Sequence, residues 1–291
     1  MNFINNYDNT FVKQKTLKNK ILFSGVGLHN GKAVSMTIEP SEPNTGVVFE
    51  RTDVYENNLI KAIIDNVDET CLCTKIINKH GVSVSTIEHL MAAFHGLEID
   101  NVKVKINSDE LPALDGSSYE YVKKIKNSGV KVQSVNRKCI RILKKVKFCI
   151  NDRYILAEPS NELSLKIGID YPNTIIGNSK FTYNHSQSNF LAELSEARTF
   201  TLLEDVEKMR LSGYAMGGTI NNAIVVDKYK ILNADGLRFE KEFVKHKALD
   251  CIGDFYLLGM PLIGTISTFA PGHKINQMFV KEILSNKENY N

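Results

Sequence analysis

The stretch Phe243-Val-Lys-His246-Lys-Ala-Leu-Asp250-Cys-Ile-Gly-Asp254 is the most informative segment of the sequence. His246, Asp250 and Asp254 recur at intervals of four residues, which places them on one face of a predicted helix. The opposite face is apolar and carries Ala248, Leu249, Ile252, Phe255 and Tyr256. A His and an Asp with this spacing can bind one metal ion. The same spacing also occurs in ordinary ion pairs on helix surfaces, so the pattern alone leaves both interpretations open.

Two further segments carry residues suited to hydrolysis. In Ser85-Thr-Ile-Glu88-His89-Leu-Met-Ala-Ala-Phe94, Ser85 and Thr86 are plausible N-caps, and the Glu-His pair falls in the first turn of a helix predicted over 85–97. In Ala270-Pro-Gly-His273-Lys, a histidine follows a turn at the end of an apolar run. Each pattern is common by chance, and each is weak evidence alone.

Together, the three segments contain the parts that zinc hydrolysis requires. A catalytic zinc site has three protein ligands and an open position, and His89, His246 and Asp250 are candidates for the ligands. The reaction also needs a base for water and an acid for the leaving nitrogen. Glu88 is the candidate base and His273 the candidate acid or electrostatic partner, and the alternative is a single carboxylate that serves as both base and acid. Asp254 is one helical turn beyond Asp250 and is a candidate to orient His273.

The composition favours an ordinary globular protein of 291 residues. There are 36 Lys and Arg against 33 Asp and Glu, and the resulting net charge of +3 argues against nucleic-acid binding. An odd, scattered set of cysteines does not form a disulfide framework and fits a reducing compartment: Cys71, Cys73, Cys139, Cys149 and Cys251. We found no signal peptide or membrane span, and we therefore expect a soluble cytoplasmic protein.

The pattern of predicted helices and strands indicates an α+β protein with two domains of similar size. We predict a polar arm over 1–15, a first domain over 16–132 and a second over 133–291, with the boundary in the polar, basic segment 130–138. In the first domain, strands are predicted at Val34–Ile38 and Val102–Ile106, and a second helix from Asp115 to Gly129. In the second, strands are predicted at 139–149, 154–158, 163–170, 223–227 and 262–269. Helices are predicted near 189–195, 202–212, 239–258 and 275–285.

Several motifs, in a fixed order along the chain, resemble those of the UDP-3-O-acyl-N-acetylglucosamine deacetylases of Gram-negative bacteria, which act in lipid A synthesis. The matching stretches are Phe23-Ser-Gly-Val-Gly-Leu-His29-Asn-Gly, Leu72-Cys73-Thr74, Ser85-Thr-Ile-Glu-His-Leu90, Gly96-Leu-Glu-Ile-Asp-Asn101, Leu114-Asp-Gly-Ser-Ser118, Ala197-Arg-Thr-Phe200, Leu232-Asn-Ala-Asp-Gly-Leu-Arg-Phe239, His246-Lys-Ala-Leu-Asp250, Gly253-Asp254 and Gly272-His273. Their combined order and spacing make the resemblance specific, and it extends over nearly the whole chain.

The resemblance implies a fold and a set of residue roles. The family fold has two similar domains, each a β-sheet with helices on one face and with an insert, and the helix layers pack together around the active site. It implies one Zn²⁺ on His89, His246 and Asp250, with Fe²⁺ also possible, and the acid–base roles given above for Glu88, His273 and Asp254. It also implies that Thr199 holds the oxyanion. Substrate contacts carried over from the family are Phe200, Lys247 and Cys73.

The resemblance further implies that the second insert forms a tunnel for the substrate's acyl chain. The apolar, small-residue-rich segment 200–218 fits this, and Leu203, Val206, Ala215 and Gly218 are the predicted lining residues. Some family members have a basic residue where this chain has Ala270. Lys144, Lys145 and Lys247 are therefore our candidates for diphosphate contacts. We expect a monomer whose only partner is the small UDP-sugar. A zinc amidohydrolase for another N-acetylated sugar and a non-catalytic nucleotide-sugar binder are the alternatives.

Overall fold

The first half of the chain forms a five-stranded sheet with two helices. The computed structural model describes residues 12–68 and 72–291, so most of the predicted polar arm and Cys71 lie outside the described residues. The strands are β1 (Lys13–Leu17), β2 (Ile21–Val26), β3 (Ala33–Pro40), β4 (Val47–Arg51), β5 (Leu59–Lys61), β6 (Lys75–Ile77), β7 (Ser83–Ser85) and β8 (Val102–Ile106). The helices are α1 (Glu88–Gly96) and α2 (Tyr119–Ser128). The main sheet has the order β2-β3-β8-β4-β5, and β6 and β7 form a separate hairpin.

The second half repeats this plan with a six-stranded sheet. The strands of the second half are β9 (Val130–Asn136), β10 (Ile140–Arg141), β11 (Val146–Ile150), β12 (Arg153–Glu158), β13 (Leu163–Tyr171), β14 (Gly177–Asn184), β15 (Phe200–Leu202), β16 (Ile224–Asp227), β17 (Lys230–Ile231) and β18 (Leu262–Phe269). Its helices are α3 (Gln187–Asn189, continued by a π-helical turn over Phe190–Leu194), α4 (Leu203–Leu211), α5 (Glu242–Phe255) and α6 (His273–Ser285). The large sheet has the order β11-β12-β18-β13-β14, with β10 also pairing β18, and β15-β16-β17 form a small separate sheet.

Alternation of apolar and polar residues explains how each large sheet buries one face. Val102, Val104 and Ile106 of β8 are buried, whereas the intervening lysines are half-buried and pair with glutamates on neighbouring strands. In the second sheet, α5 and α6 pack on the buried face. The predicted α+β class is confirmed, with several sheets and six helices among the described residues.

Helix α5 is the centre of the molecule because it packs against both its own sheet and α1 of the first half. His246, Asp250 and Asp254 are 1%, 2% and 0% exposed, so the polar stripe is buried and the alternative of a solvent-exposed ion pair is wrong. Gly253 permits the close approach of the two helices. A Cβ atom on this residue would lie 2.1 Å from the carbonyl oxygen of Glu88, and any side chain would push α1 away.

Some sequence predictions differ from the structure at element boundaries. Ser85 ends strand β7 instead of capping α1, and the Thr86 hydroxyl donates to Glu110, so neither caps the helix. Residues 130–136 form β9, which pairs with β1. The predicted strand 139–149 is two strands, β10 and β11, and strand β14 was missed. The polar edge strand β14 has few apolar residues, so its alternation is weak. None of the described helices is long and apolar enough to cross a membrane.

The contact between the two halves includes two adjacent histidines, whose burial predicts acid sensitivity. The rings of His95 and His185 lie 4.5 Å apart. Burial lowers the pKa of His185 from 6.5 to about 4, and burial also lowers that of His95. Between these pH values the unfolded chain binds protons that the folded protein excludes. Stability is therefore fully present above pH 6.5 and is lost as the pH falls towards 4, by up to about 1.4 kcal/mol per pH unit for each site.

The measurement is the free energy of unfolding in urea at several pH values. His185→Gln is expected to flatten the curve between pH 6.5 and 4, whereas His80→Gln, which removes an exposed histidine from a turn, leaves the slope unchanged. Equal slopes for the wild type and His185→Gln would contradict the prediction.

Candidate metal centre and catalytic site

Three candidate ligands, two from α5 and one from α1, meet where these helices pack. The His89 Nε2 atom lies 3.6 Å from Asp250 Oδ1, and His246 Nε2 lies 3.3 Å from the same oxygen. The two imidazole rings are nearly perpendicular, with centroids 5.0 Å apart. All three ligand atoms lie within 4.8 Å of one another, and this group could hold a metal ion.

The geometry of these atoms fits a tetrahedral metal. Ligand atoms about 2.0–2.2 Å from a tetrahedral ion lie roughly 3.3–3.5 Å apart, close to the separations found here. Asp250 Oδ1 is buried and has no hydrogen-bond partner among the described residues. A buried carboxylate oxygen without a donor is costly. A metal ion between the two histidines and this oxygen would satisfy it.

Neighbouring groups orient the ligands for metal binding. His246 Nδ1 lies 3.0 Å from the Ala197 carbonyl oxygen and donates its proton there, which leaves the Nε2 lone pair directed towards Asp250. Burial lowers the pKa of His246 to about 3, so this ring is neutral, as a ligand must be. Lys247 Nζ donates to Asp250 Oδ2 at 3.0 Å. Burial opposes ionisation of Asp250, but the adjacent Lys247 ammonium favours it, and the pKa of Asp250 lies well below its usual range.

The candidate base and acid face each other beside this group. Glu88 is the first residue of α1, and its Oε1 lies 3.9 Å from His273 Nε2 at the start of α6. Burial raises the pKa of Glu88. Burial alone would lower the pKa of His273, but Asp254 and Glu88 raise it to about 9. His273 Nδ1 donates to Asp254 Oδ2 at 3.0 Å, so the structure brings together the two residues paired on sequence grounds.

Left-handed backbone conformations occur just before the segments that carry these residues. Thr86 has φ +58°, Ala270 has φ +49° and Lys241 has φ +63°. Such values are unfavourable for residues other than glycine, most of all for β-branched Thr. Thr86 lies two residues before Glu88, Ala270 lies three residues before His273, and Lys241 lies one residue before helix α5. The backbone thus turns sharply into each segment, which directs the functional side chains inward.

A buried ion pair that sequence reasoning missed supports α5 at its N-terminus. Glu242 is 0% exposed and accepts hydrogen bonds from Arg198 Nε at 2.7 Å and from Arg198 Nη2 at 3.0 Å. It also accepts from the backbone N–H groups of Arg198 and Arg238. Arg198 stands between Ala197, which holds His246, and Thr199. Glu242 therefore anchors the segment that contacts both the metal group and the cavity.

Replacing Glu242 with Gln is expected to lower the free energy of unfolding by about 3–5 kcal/mol, because it leaves Arg198 as a buried charge without its counter-ion. Urea denaturation measures this loss. The matched control is Glu288→Gln, which breaks the exposed pair with Lys144 and is expected to leave the free energy of unfolding nearly unchanged. A cost for Glu242→Gln no larger than that of the control would refute the anchoring role.

A cavity of about 480 Å³ surrounds the candidate catalytic residues. The predicted site residues that line this cavity are Glu88, His89, Thr199, Phe200, His246, Lys247, Asp250 and His273. Asp254 is fully buried behind His273. Cys73 is also buried, and it is not among the described residues that line this cavity. Burial and the nearby Glu88 raise the pKa of the Cys73 thiol to about 12, so it is an uncharged neighbour of the site.

An apolar cavity of about 350 Å³ adjoins the catalytic one and shares Thr199 and Phe200 with it. All four predicted tunnel residues line it: Leu203, Val206, Ala215 and Gly218. Its wall also includes Leu28, Leu72, Val225 and Leu232, which come from segments distant in the sequence. Leu211, from the same predicted segment, is 84% exposed and contributes nothing to the wall. The arrangement is a polar site that continues into an apolar channel.

Of the three cations predicted near the catalytic cavity, Lys247 lines it, whereas Lys144 and Lys145 are not among its described lining residues. Lys144 pairs with Glu288 and Lys145 with Glu158, and neither lines the cavity in the described part of the chain. Lys247 does line it, and so does Arg153 of β12, which the sequence did not single out. Ala270 lies on the same wall. Arg153 was missed because a lone arginine at the start of a strand gives no local signal of its position.

Comparison with known proteins identifies the family of this chain. A model of the UDP-3-O-acyl N-acetylglycosamine deacetylase family matches residues 14–285. The UDP-3-O-acyl-N-acetylglucosamine deacetylase of Teredinibacter turnerae is 42% identical over 279 residues, which cover 95% of this chain and 92% of the relative. The corresponding proteins of Haemophilus influenzae (strain 86-028NP) and Coxiella burnetii are each 41% identical over 95% of this chain, covering 92% and 91% of their own lengths. The chain therefore belongs to the UDP-3-O-acyl N-acetylglycosamine deacetylase family.

Proposed function

We propose that this protein hydrolyses the acetamide of UDP-3-O-(3-hydroxyacyl)-N-acetylglucosamine to give acetate and UDP-3-O-(3-hydroxyacyl)-glucosamine, an early step of lipid A synthesis. The observation that carries the proposal is the meeting of the His89–His246–Asp250 group with Glu88 and His273 at the entrance of an apolar channel. The names of the family and of the relatives support the substrate.

One Zn²⁺ per chain is the proposed ion, held by His89, His246 and Asp250, and Fe²⁺ suits the same donor set. When bound, such an ion polarises the acetamide carbonyl and lowers the pKa of a water molecule. Side chains of the protein carry out the proton transfers and stabilise the developing charge. Glu88 takes a proton from the water molecule while the water oxygen forms a bond to the carbonyl carbon of the acetamide. Glu88 is suited to this role because burial raises its pKa, and a carboxylate with a higher pKa is a stronger base.

The leaving nitrogen needs a proton when the C–N bond breaks. His273 is protonated at neutral pH, since its pKa is about 9, and its Nε2 faces the cavity and Glu88. It stabilises the developing negative charge and donates the proton to the amine. Asp254 holds the imidazole through Nδ1. Thr199 stands on the cavity wall, where we propose that it donates to the oxyanion.

The rest of the substrate occupies the two cavities. The acyl chain fits the apolar channel next to Phe200, and the glucosamine lies in the polar cavity. The diphosphate is negatively charged, and Lys247 and Arg153 are the cations that line this cavity. We propose that they take the place of the basic residue missing at Ala270. A monomeric state and a cytoplasmic location remain predictions.

The test is incubation of the purified protein with this substrate and mass spectrometry of the products. We expect loss of one acetyl group with the 3-O-acyl ester intact. Loss of the fatty acyl group instead would show that the ester is cleaved and would refute the proposal. An unchanged substrate, with folded and zinc-loaded protein, would reject the named substrate and favour another N-acetylated sugar.

A further inference from the structure

Thr74 lies between the candidate base and the candidate acid, with hydrogen bonds to Glu88 and to Asp254, the partner of His273. It is 0% exposed and immediately precedes strand β6. Its backbone N–H donates to Glu88 Oε2 at 3.0 Å, and its carbonyl accepts from the Ile87 N–H at 3.3 Å. The backbone of one residue thus fixes both the start of α1 and the carboxylate of the residue that begins it. The Glu88 side chain is held with Oε1 directed towards His273.

The hydroxyl of Thr74 reaches the other side of the site. Its Oγ1 donates to Asp254 Oδ1 at 2.5 Å and lies 3.2 Å from His273 Nδ1. It also accepts from Gln277 Nε2 at 3.2 Å. The only proton of the hydroxyl is given to Asp254, and the Asp254 Oδ2 atom remains for His273. The hydroxyl therefore sets the rotation of the carboxylate that orients the imidazole.

We propose that Thr74 is a positioning residue for the deacetylation, which couples the placement of Glu88 to that of His273. The inference rests on the proposed function for its catalytic consequence, but its structural basis is independent of the substrate. Without the hydroxyl, Asp254 keeps only Asn276 and His273 among the donors described here, both on Oδ2, and Oδ1 loses the hydrogen bond that fixes the plane of the carboxylate. The distance of His273 Nε2 from Glu88 would then be less firmly fixed. The candidate base and acid belong to different halves of the chain, and Thr74 connects them through its hydrogen bonds to Glu88 and to Asp254, which holds His273.

The residue type agrees with this role. Threonine is β-branched and has few χ1 rotamers, so its hydroxyl keeps one direction when buried. Valine has the same shape without the hydroxyl, and it preserves the backbone N–H that bonds Glu88. Serine keeps the hydroxyl and loses only a methyl group. The two variants separate the hydrogen bond to Asp254 from the packing of the side chain.

The first experiment compares the steady-state kinetics of these variants. Thr74→Val is expected to lower kcat by about 10- to 100-fold, as is typical when a group that orients a functional side chain is lost. KM is expected to change little, because Thr74 is not among the described residues that line the substrate cavities. Thr74→Ser should restore kcat to within about fivefold of the wild type, since it keeps the charge-assisted hydrogen bond. The matched control is Thr268→Val, which removes another buried hydroxyl, bonded to the Tyr154 carbonyl, from a residue that is not among those described as lining either substrate cavity.

The second experiment asks whether Thr74 acts through His273. In a His273→Ala background, Thr74→Val is expected to cause no further loss of kcat, because the side chain that it positions is gone. Additive losses would overturn the proposal, as would a Thr74→Val enzyme with more than half of the wild-type kcat, or a Thr74→Ser enzyme as slow as Thr74→Val.

A third readout needs no substrate. The NMR resonance of the His273 Nδ1 proton, assigned by its loss in His273→Ala, is expected to move in Thr74→Val and to stay in place in Thr268→Val. An unmoved resonance in Thr74→Val would overturn the proposal. If the wild type fails to deacetylate the named substrate, the proposed function fails, but this resonance still tests the placement of His273 by Thr74.

Discussion

Glu88→Gln is expected to lower kcat by about 10²- to 10⁴-fold, the usual contribution of a positioned general base. The amide has the shape of the carboxylate but cannot take a proton from water. Its oxygen can still accept the Thr74 N–H that holds Glu88 Oε2, so the side chain keeps its place. The melting temperature and the affinity for zinc should therefore stay close to those of the wild type, because the three proposed ligands are untouched.

The measurement is kcat together with the metal content of the same sample. The matched control is Glu120→Gln, since Glu120 also occupies the first turn of a helix, α2, outside the site. We expect this control to behave as the wild type. A Glu88→Gln enzyme with near-wild-type kcat would remove Glu88 from the role of base. A loss of kcat that is matched by a loss of bound metal would assign Glu88 to metal binding instead.

Shortening the acyl chain of the substrate is expected to have the second large effect. Each buried CH₂ group contributes about 0.8 kcal/mol, so removing four of them should lower kcat/KM by roughly 100- to 300-fold. The physical reason is the apolar channel, whose wall includes Leu203, Val206 and Ala215. A series of substrates that differ only in chain length would give the slope of log kcat/KM against chain length.

A variant that fills the channel tests the same prediction from the protein side. Val206→Phe adds bulk to the α4 side of the wall. It should slow the long-chain substrate and leave the rate on an acetamido sugar without a chain nearly unchanged. Equal rates on long and short substrates in the wild type would show that the channel does not bind the chain. A Val206→Phe enzyme that loses activity equally on all substrates would point to misfolding and would not support the channel.

The helical spacing of His246, Asp250 and Asp254 could be read from the sequence because all three lie within one helix. The positions of His89 and His273 relative to them could not, because long-range packing of α1 and α6 against α5 determines them. The family resemblance was what predicted that His89 and His273 lie in the same site as the residues of α5. The surface alternative for the polar stripe was wrong because α5 is enclosed on nearly all sides, which a helical pattern with one polar face does not predict.

The residues that support the site were the least predictable part. Thr74 and Glu242 act through hydrogen bonds to Glu88, Asp254 and Arg198, which lie more than ten residues away in sequence, and neither belongs to a local pattern. Arg153 lines the cavity only because β12 lies next to β18, whose end leads to Ala270. Strand pairing of this kind depends on the whole sheet. Local patterns thus predicted the reactive side chains, whereas the groups that orient them required the structure.

The most direct test of the account is a metal titration of acetate release. The protein is stripped with a chelator, shown to remain folded by circular dichroism, and titrated with Zn²⁺ in the presence of UDP-3-O-(3-hydroxyacyl)-N-acetylglucosamine. We predict no acetate without metal and a linear rise to a plateau at about one Zn²⁺ per chain, with both the affinity and the plateau lost in Asp250→Ala. Full acetate release by the metal-free protein, or none by the folded, zinc-loaded protein, would contradict the account.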